Sequence, residues 1–170
     1  GNISSSFSKK ISMVKKDKLK CLWTLASEYN VRNTVFSNSF RTDWSTRSDE
    51  IRKAFNDDLI LKKILWNVLP PYTGGNLTLW RGEKTSVFKK NIIGFNWSTN
   101  KEYVEASFAN GLYCDRRGGG SLLEIQIESE GIISGHGNHR LDDPNLESSI
   151  VVDPCYIKKI NLLNSFKRNR

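Results

Sequence analysis

Three short stretches carry residues whose types and order suggest chemistry: "GGNLTLWRGE" (74–83), "FNWSTN" (95–100) and "NLESSIVV" (145–152). In the first, Leu77, Leu79 and Arg81 share one face at the two-residue period of a strand. A guanidinium turned the same way as two leucines costs several kcal/mol when buried without an anion. Either the strand ends there and Arg81 reaches water along its stem, or a cleft opens and an anion fills it. An arginine fork suits phosphate oxygens better than a lysine point charge does. In the second stretch Ser98 and Thr99 close an apolar segment, and Asn100 reads as the cap of a following helix. In the third, Glu147 and Ser149 precede an apolar run and fall on one face of a strand.

These stretches need a scaffold, and the chain is long enough, at 170 residues, for one domain with a proper core. Residues 1–70 read as helical. "DKLKCLWTLASEYN" has helical spacing of Leu19, Leu22, Trp23, Leu25 and Ala26 and stops at Asn30. A second helix is expected from a Ser48 cap to Pro70-Pro71, with a polar connection before it. Residues 71–160 change texture to short alternating or β-branched segments, "NLTLWR", "VFKKNIIGFNWS", "GSLLEIQIE", "GIIS" and "SSIVV". One helix, "NKEYVEASFANGL", interrupts them, with Gly111 as its expected stop. Residues 161–170 read as a basic tail. Helices first and mainly antiparallel strands afterwards make an α+β chain.

The formal net charge is +8, of which residues 1–20 and 158–170 contribute +5 each. Basic ends beside a near-neutral middle suit solvated tails or the grip of a polyanion such as nucleic acid. Cys21, Cys114 and Cys155 are odd in number and far apart, which suggests a reducing compartment, a cytoplasmic setting and no disulfide framework. No secretory leader is legible in "GNISSSFSKKISMVKKDKLK", and no apolar run reaches membrane-spanning length. The glycines of "CDRRGGGS" lack the Gly-Lys-Ser/Thr of a phosphate loop. His136 and His139 with Asp142 and Asp143 fit no standard metal spacing, so no metal is expected. Glu83 and Glu105 read as solvated charges, and Lys89-Lys90 as a hairpin.

In this order, Arg, then Ser-Thr, then Glu before a strand, the chain resembles the mono-ADP-ribosyltransferases, whose signature is Arg, Ser-Thr-Ser and Glu-x-Glu. The resemblance covers roughly residues 74–155, through "LWRGE", "WSTNKEYVEASFA" and "ESSIVVDP". It implies two packed, mainly antiparallel sheets with an NAD cleft between them, following the N-terminal helices. NAD would be the co-substrate, and a protein or nucleic acid the acceptor. It implies that Arg81, with Gly82 beside it, anchors an NAD phosphate or ribose. Ser98 would hold the nicotinamide side, Thr99 the strand-to-helix corner, and Trp97 or Phe108 could wall or stack on the ring, although ordinary core packing is the favoured reading of both aromatics. The loop "SGHGNHRLDDPNLE", with His139 and Arg140, would recognise the acceptor together with Glu147.

The third element departs from the signature. Glu147 aligns with the first Glu, and Ser149 stands where the resemblance places the catalytic carboxylate that stabilises the cationic sugar. A serine supplies no such charge, and losing it costs on the order of 10²–10³ in rate or more. By analogy the setting is a bacterial or phage toxin or effector, with a neutralising partner as a further expectation. Two other classes stay open: a nucleic-acid-binding module, and an NAD-binding pseudo-enzyme without transfer.

Overall fold

Apolar stripes at helical spacing build the first part of the chain. The structure is a computed structural model, and it describes residues 3–109, 119–135 and 149–167. Helix α1 spans Ile3–Ser12, α2 Leu19–Glu28, α3 Phe36–Phe55 and α4 Asp58–Val68. Their inward faces bury Ile11, Trp23, Phe40, Trp44, Ile51 and Leu65 almost completely. Trp23 meets Phe40 and Trp44 edge-on, with ring centroids 5.0 and 6.1 Å apart. Such edge-to-face contacts add to the burial of the rings.

Two expectations for the helices need correction. The segment 36–47, read as a polar connection, is the first half of α3. Its inward stripe is Ser37, Phe40, Arg41, Trp44, Ser48, Ile51 and Phe55, and its serines and arginine hide the period from an apolar count. The helix bends at Arg47 (φ −129°, ψ 22°), immediately before the expected Ser48 cap. Arg47 also donates to the carbonyls of Ile11, Ser12 and Val14 at 3.3, 3.3 and 2.7 Å, closing the C-terminal end of α1. The second helix then divides in two. Asn56 turns left-handed (φ 51°), and Asp57 caps α4 by accepting from the amides of Leu59 and Ile60 at 3.0 and 3.2 Å.

The second part is a six-stranded sheet with strand order β4-β5-β2-β1-β3-β6. In chain order, β1 spans Leu77–Lys84, β2 Asn96–Ser98, β3 Gly120–Ile127, β4 Ile132–Ser134, β5 Ser149–Val152 and β6 Asn161–Phe166. The short helix α5 (Thr85–Lys89) follows β1, so Lys89-Lys90 stand at a helix end and not at a hairpin. Helix α6 (Lys101–Val104) follows β2 and continues as a π-helical turn, Glu105–Ala109. The pairs β1–β2, β1–β3, β2–β5 and β3–β6 are antiparallel.

Where the sequence reading expects two packed sheets, hydrogen bonding links all six strands into one. The link at its middle is narrow: β1 and β2 share the pair Trp80↔Ser98, whereas β1 and β3 align from Leu77↔Ile127 to Lys84↔Gly120. The expected basic tail is also corrected, because Asn161–Phe166 forms the strand β6.

The chain divides into two compact units, Gly1–Tyr72 with Ile133–Arg140, and Thr73–Ile132 with Leu141–Arg170. The first break lies within two residues of the expected change of texture at 70/71. In the helical unit, Arg41 is 1% exposed and donates through Nε to the Gly135 carbonyl at 2.9 Å. Arg32 donates to the carbonyls of Leu69 and Ile133 at 2.9 and 3.1 Å. Two guanidiniums thus satisfy alternate carbonyls, Ile133 and Gly135, where the chain re-enters this unit. No helix among the described residues is long and apolar enough to cross a membrane.

Candidate functional site

Strands β5, β2 and β1 are neighbours, so the three signature stretches, far apart in sequence, lie side by side. Ser98 pairs across to Ser149 on one side and to Trp80 on the other. Trp80 in turn faces Glu124 on β3. Ser149, Ser98, Trp80 and Glu124 therefore form one cross-strand row on one face of the sheet. Within that row the Trp80 indole donates to the Glu124 carboxylate at 2.9 Å.

Ser98 sits at the end of β2 and is 9% exposed. Its hydroxyl accepts from the Asn100 amide at 2.9 Å, and the Asn100 side chain accepts from the Tyr103 amide at 3.1 Å. Asn100 is thus the helix cap that its residue type predicts, and Ser98 fixes the corner from strand to helix. Thr99 is exposed at the same corner. Phe108, in the π-helical turn, meets Tyr103 edge-on at 5.7 Å. A Cβ added at Gly82 would lie 2.5 Å from the Phe108 Cβ, so Gly82 provides the seat on which this turn rests. Gly82 belongs to the same face as Trp80 and Ser98.

Arg81 is one residue further along, so its side chain belongs to the opposite face, with Glu83, Trp97 and Leu123. The sequence reading asks what anion meets this guanidinium. In the structure it is Glu83, two residues on. Nε and Nη2 of Arg81 both lie 3.0 Å from Oε2 of Glu83, and Nη1 donates to the Asn96 carbonyl at 2.7 Å. The other Glu83 oxygen accepts from the Lys84 amide at 3.0 Å. Glu83 is therefore not the solvated charge expected, since its side chain is only 12% exposed. Its role was legible in the period-two spacing Arg81–Glu83.

A cleft with about 50 Å³ of room opens over this ion pair, lined among others by Arg81, Glu83, Gly94, Trp97 and Leu123. Trp97 is 2% exposed, and its indole donates to the Gly94 carbonyl at 3.0 Å. Gly94 is the second residue that sequence reasoning missed. A Cβ there would stand 2.3 Å from Cζ of Arg81, so only glycine lets the guanidinium lie flat against the backbone. The cleft is far smaller than the roughly 300–1,000 Å³ typical of sites that enclose an organic ligand.

The structure thus brings Arg81 together with Trp97, and Ser98 together with Ser149, on the two faces of adjacent strands. Glu147, His136, His139, Arg140, Asp142 and Asp143 lie outside the described residues, as do Gly111 and Cys114. Among the described residues no group of three or more His, Cys, Asp or Glu could hold a metal ion. Cys21 and Cys155 are exposed free thiols. No protein-family model, curated protein or solved structure matches this chain.

Proposed function

We propose that the chain is an NAD-dependent mono-ADP-ribosyltransferase-like protein whose given sequence lacks the catalytic carboxylate. The observation that carries this reading is the register Ser149↔Ser98↔Trp80 beside Arg81. The three motif elements picked out by their order in sequence lie on adjacent strands, with Arg81 on the face opposite to Ser98 and Ser149. The reaction proposed is cleavage of the bond between the ribose anomeric carbon and the nicotinamide nitrogen, with transfer of the ADP-ribosyl group to a nucleophile of a protein or nucleic acid. The bonding electrons leave with nicotinamide, which becomes neutral, so the step needs no metal. Arg81 would meet a phosphate of NAD once Glu83 releases part of its fork, and Ser98 would have to steady the ribose side from the other face of the sheet.

Position 149 decides between the active and inactive forms of this reading. A carboxylate there would face the oxocarbenium-like sugar, whereas a serine hydroxyl supplies no opposing charge. The test is Ser149→Glu, assayed by release of nicotinamide and by labelling of cell extract with ADP-ribose. The variant is expected to raise NAD cleavage by on the order of 10²–10³ over the given chain. Glu147→Gln in that background is expected to reduce transfer more than hydrolysis. NAD, and not ATP, is expected to raise the melting temperature of both forms. If NAD leaves both melting curves unchanged and oligonucleotides shift them, the chain is a nucleic-acid-binding module. A shift with NAD but no turnover in Ser149→Glu supports the pseudo-enzyme. A toxin or effector setting with a neutralising partner is part of the proposal by analogy only.

A further inference from the structure

We propose that the outer edge of β6 binds an extended acidic segment of a partner protein, which adds to the sheet as a further strand. β6 ends the strand order, and its described ladder runs to β3 alone. An edge strand presents a row of backbone donors and acceptors to any extended chain that approaches. Most edges are short or have one face held by the core. β6 differs, because Leu162 and Leu163 are adjacent and 49% and 40% exposed, at a break in register where Leu122 pairs with Asn164 and Leu123 with Leu162. Asn164 and Ser165 are exposed as well, and Phe166 is the residue that packs inward, against Val104, Ala109 and Leu122. A strand added at this edge would cover the exposed leucines.

Charge selects the occupant. Residues 158–170 hold five Lys or Arg and no acid, so β6 is flanked by cations at both ends. Lys159 and Lys167 are exposed, and Lys158 makes a loose 3.5 Å contact with Glu128 at the surface. Antiparallel pairing of two copies of β6 would bring these cationic ends together, which disfavours self-association. An extended segment with an apolar or β-branched centre and acids at both ends matches the edge in shape and sign. This inference does not depend on the NAD reading, since it involves neither Arg81 nor the serines.

The probe is the peptide Glu-Glu-Val-Thr-Val-Thr-Glu-Glu, labelled for fluorescence anisotropy with the full chain, beside the same peptide with alternate amides N-methylated. The unmodified peptide is expected to bind, and the N-methylated one to bind at least about 10-fold more weakly, because strand addition needs those amides. Lys159→Glu with Lys167→Glu is expected to weaken binding about 10-fold at low salt and little at high salt. Leu163→Pro, checked for its fold by circular dichroism, is expected to remove binding. Equal binding of the two peptides, or none by the given chain, overturns the proposal. So does a concentration-dependent dimer that Leu163→Pro disperses, because the edge would then serve a second copy. Displacement of the peptide by RNA with retained affinity for the Leu163→Pro variant would reassign the lysines to nucleic acid and also overturn it.

Discussion

Arg41 and Arg81 are both held away from bulk water, yet they are held in different ways. Arg41 lies inside the helical unit at 1% exposure, bonded to the Gly135 carbonyl and to the Ser45 hydroxyl. Burial lowers its pKa to about 10. The Gly135 carbonyl and the Ser45 hydroxyl are neutral groups fixed by the fold, and a guanidinium bonded to them holds backbone in position. Arg81 lies in the β-rich unit at 24% side-chain exposure, and its main partner is a carboxylate on a flexible stem at the lip of a cleft. A ligand anion can take the place of such a partner. The comparison teaches that burial marks the structural arginine, and an exchangeable counter-ion marks the one fit to bind.

The comparison breaks most visibly at Arg41. Arg41→Ala removes a donor to a buried carbonyl and leaves a cavity, and it is expected to cost about 3 kcal/mol of stability in urea titration. A loss under about 1 kcal/mol would mean that water replaces the guanidinium. Arg81→Ala is expected to cost only about 1 kcal/mol but to weaken NAD binding at least 10-fold, since a charge-assisted contact contributes about 1.5–3 kcal/mol. An unfolded Arg81→Ala would erase the distinction between the two arginines. Glu83→Gln sharpens it in the other direction, with NAD affinity expected to rise about 3-fold as the fork is released. Calorimetry showing weaker binding would make Glu83 part of the ligand's own contacts. Gly94→Ala pushes Arg81 out of its flat seat and is expected to cost under about 1 kcal/mol, because a flexible side chain can move aside. Its NAD affinity should fall less than that of Arg81→Ala.

The smallest effect expected is a pH dependence in α3. Desolvation raises the pKa of Asp43 above its ordinary 3.8, with Glu50 adding to the rise and Arg47, 3.6 Å away, opposing it. The folded chain then holds this proton more tightly than the unfolded chain does. Stability contributed here falls as pH climbs from 3.8 through the raised folded value. Compared with Asp43→Asn, the wild-type chain should lose a few tenths of a kcal/mol or more over that window in urea midpoints. Parallel pH profiles of the two would show that Arg47 fully offsets the burial.

Sequence legibility followed the clarity of local signals. The α+β order, the change of texture near 70/71, the segments of β1, β3, β4 and β5, and the Asn100 cap follow from periodicity and capping chemistry. The first half of α3 was hidden because Ser37 and Arg41 occupy its buried stripe, and tertiary partners outweighed hydropathy there. The stretch "VFKKNIIGFNWS" reads as strands around a hairpin at Lys89-Lys90, because its β-branched and aromatic residues favour strands, and this hides the end of α5 there. At the site, the adjacency of Ser98 and Ser149 was implied by motif order. The opposite facing of Arg81 was not, since it depends on a one-residue register that only pairing fixes. Glu83 was readable by spacing, and Gly94 only from the close approach of Arg81.

The seat that Gly82 offers to the π-helical turn has a consequence for the order of assembly. β1, the Glu105–Ala109 turn and β3 fall within residues 77–127, and an added Cβ at Gly120 would stand 1.8 Å from the Ala109 carbonyl. The turn is thus clasped by glycines of two strands that form the longest described ladder of the sheet. The nearest β1–β3 pair, Lys84↔Gly120, closes a somewhat shorter loop than the nearest β2–β5 pair, Ser98↔Ser149, and so costs slightly less loop entropy. The β1–β3 ladder with the turn clasped against it is therefore the expected folding nucleus. Substitution at Gly82 or Gly120 should slow refolding, and substitution at Ser149 should leave the refolding rate unchanged.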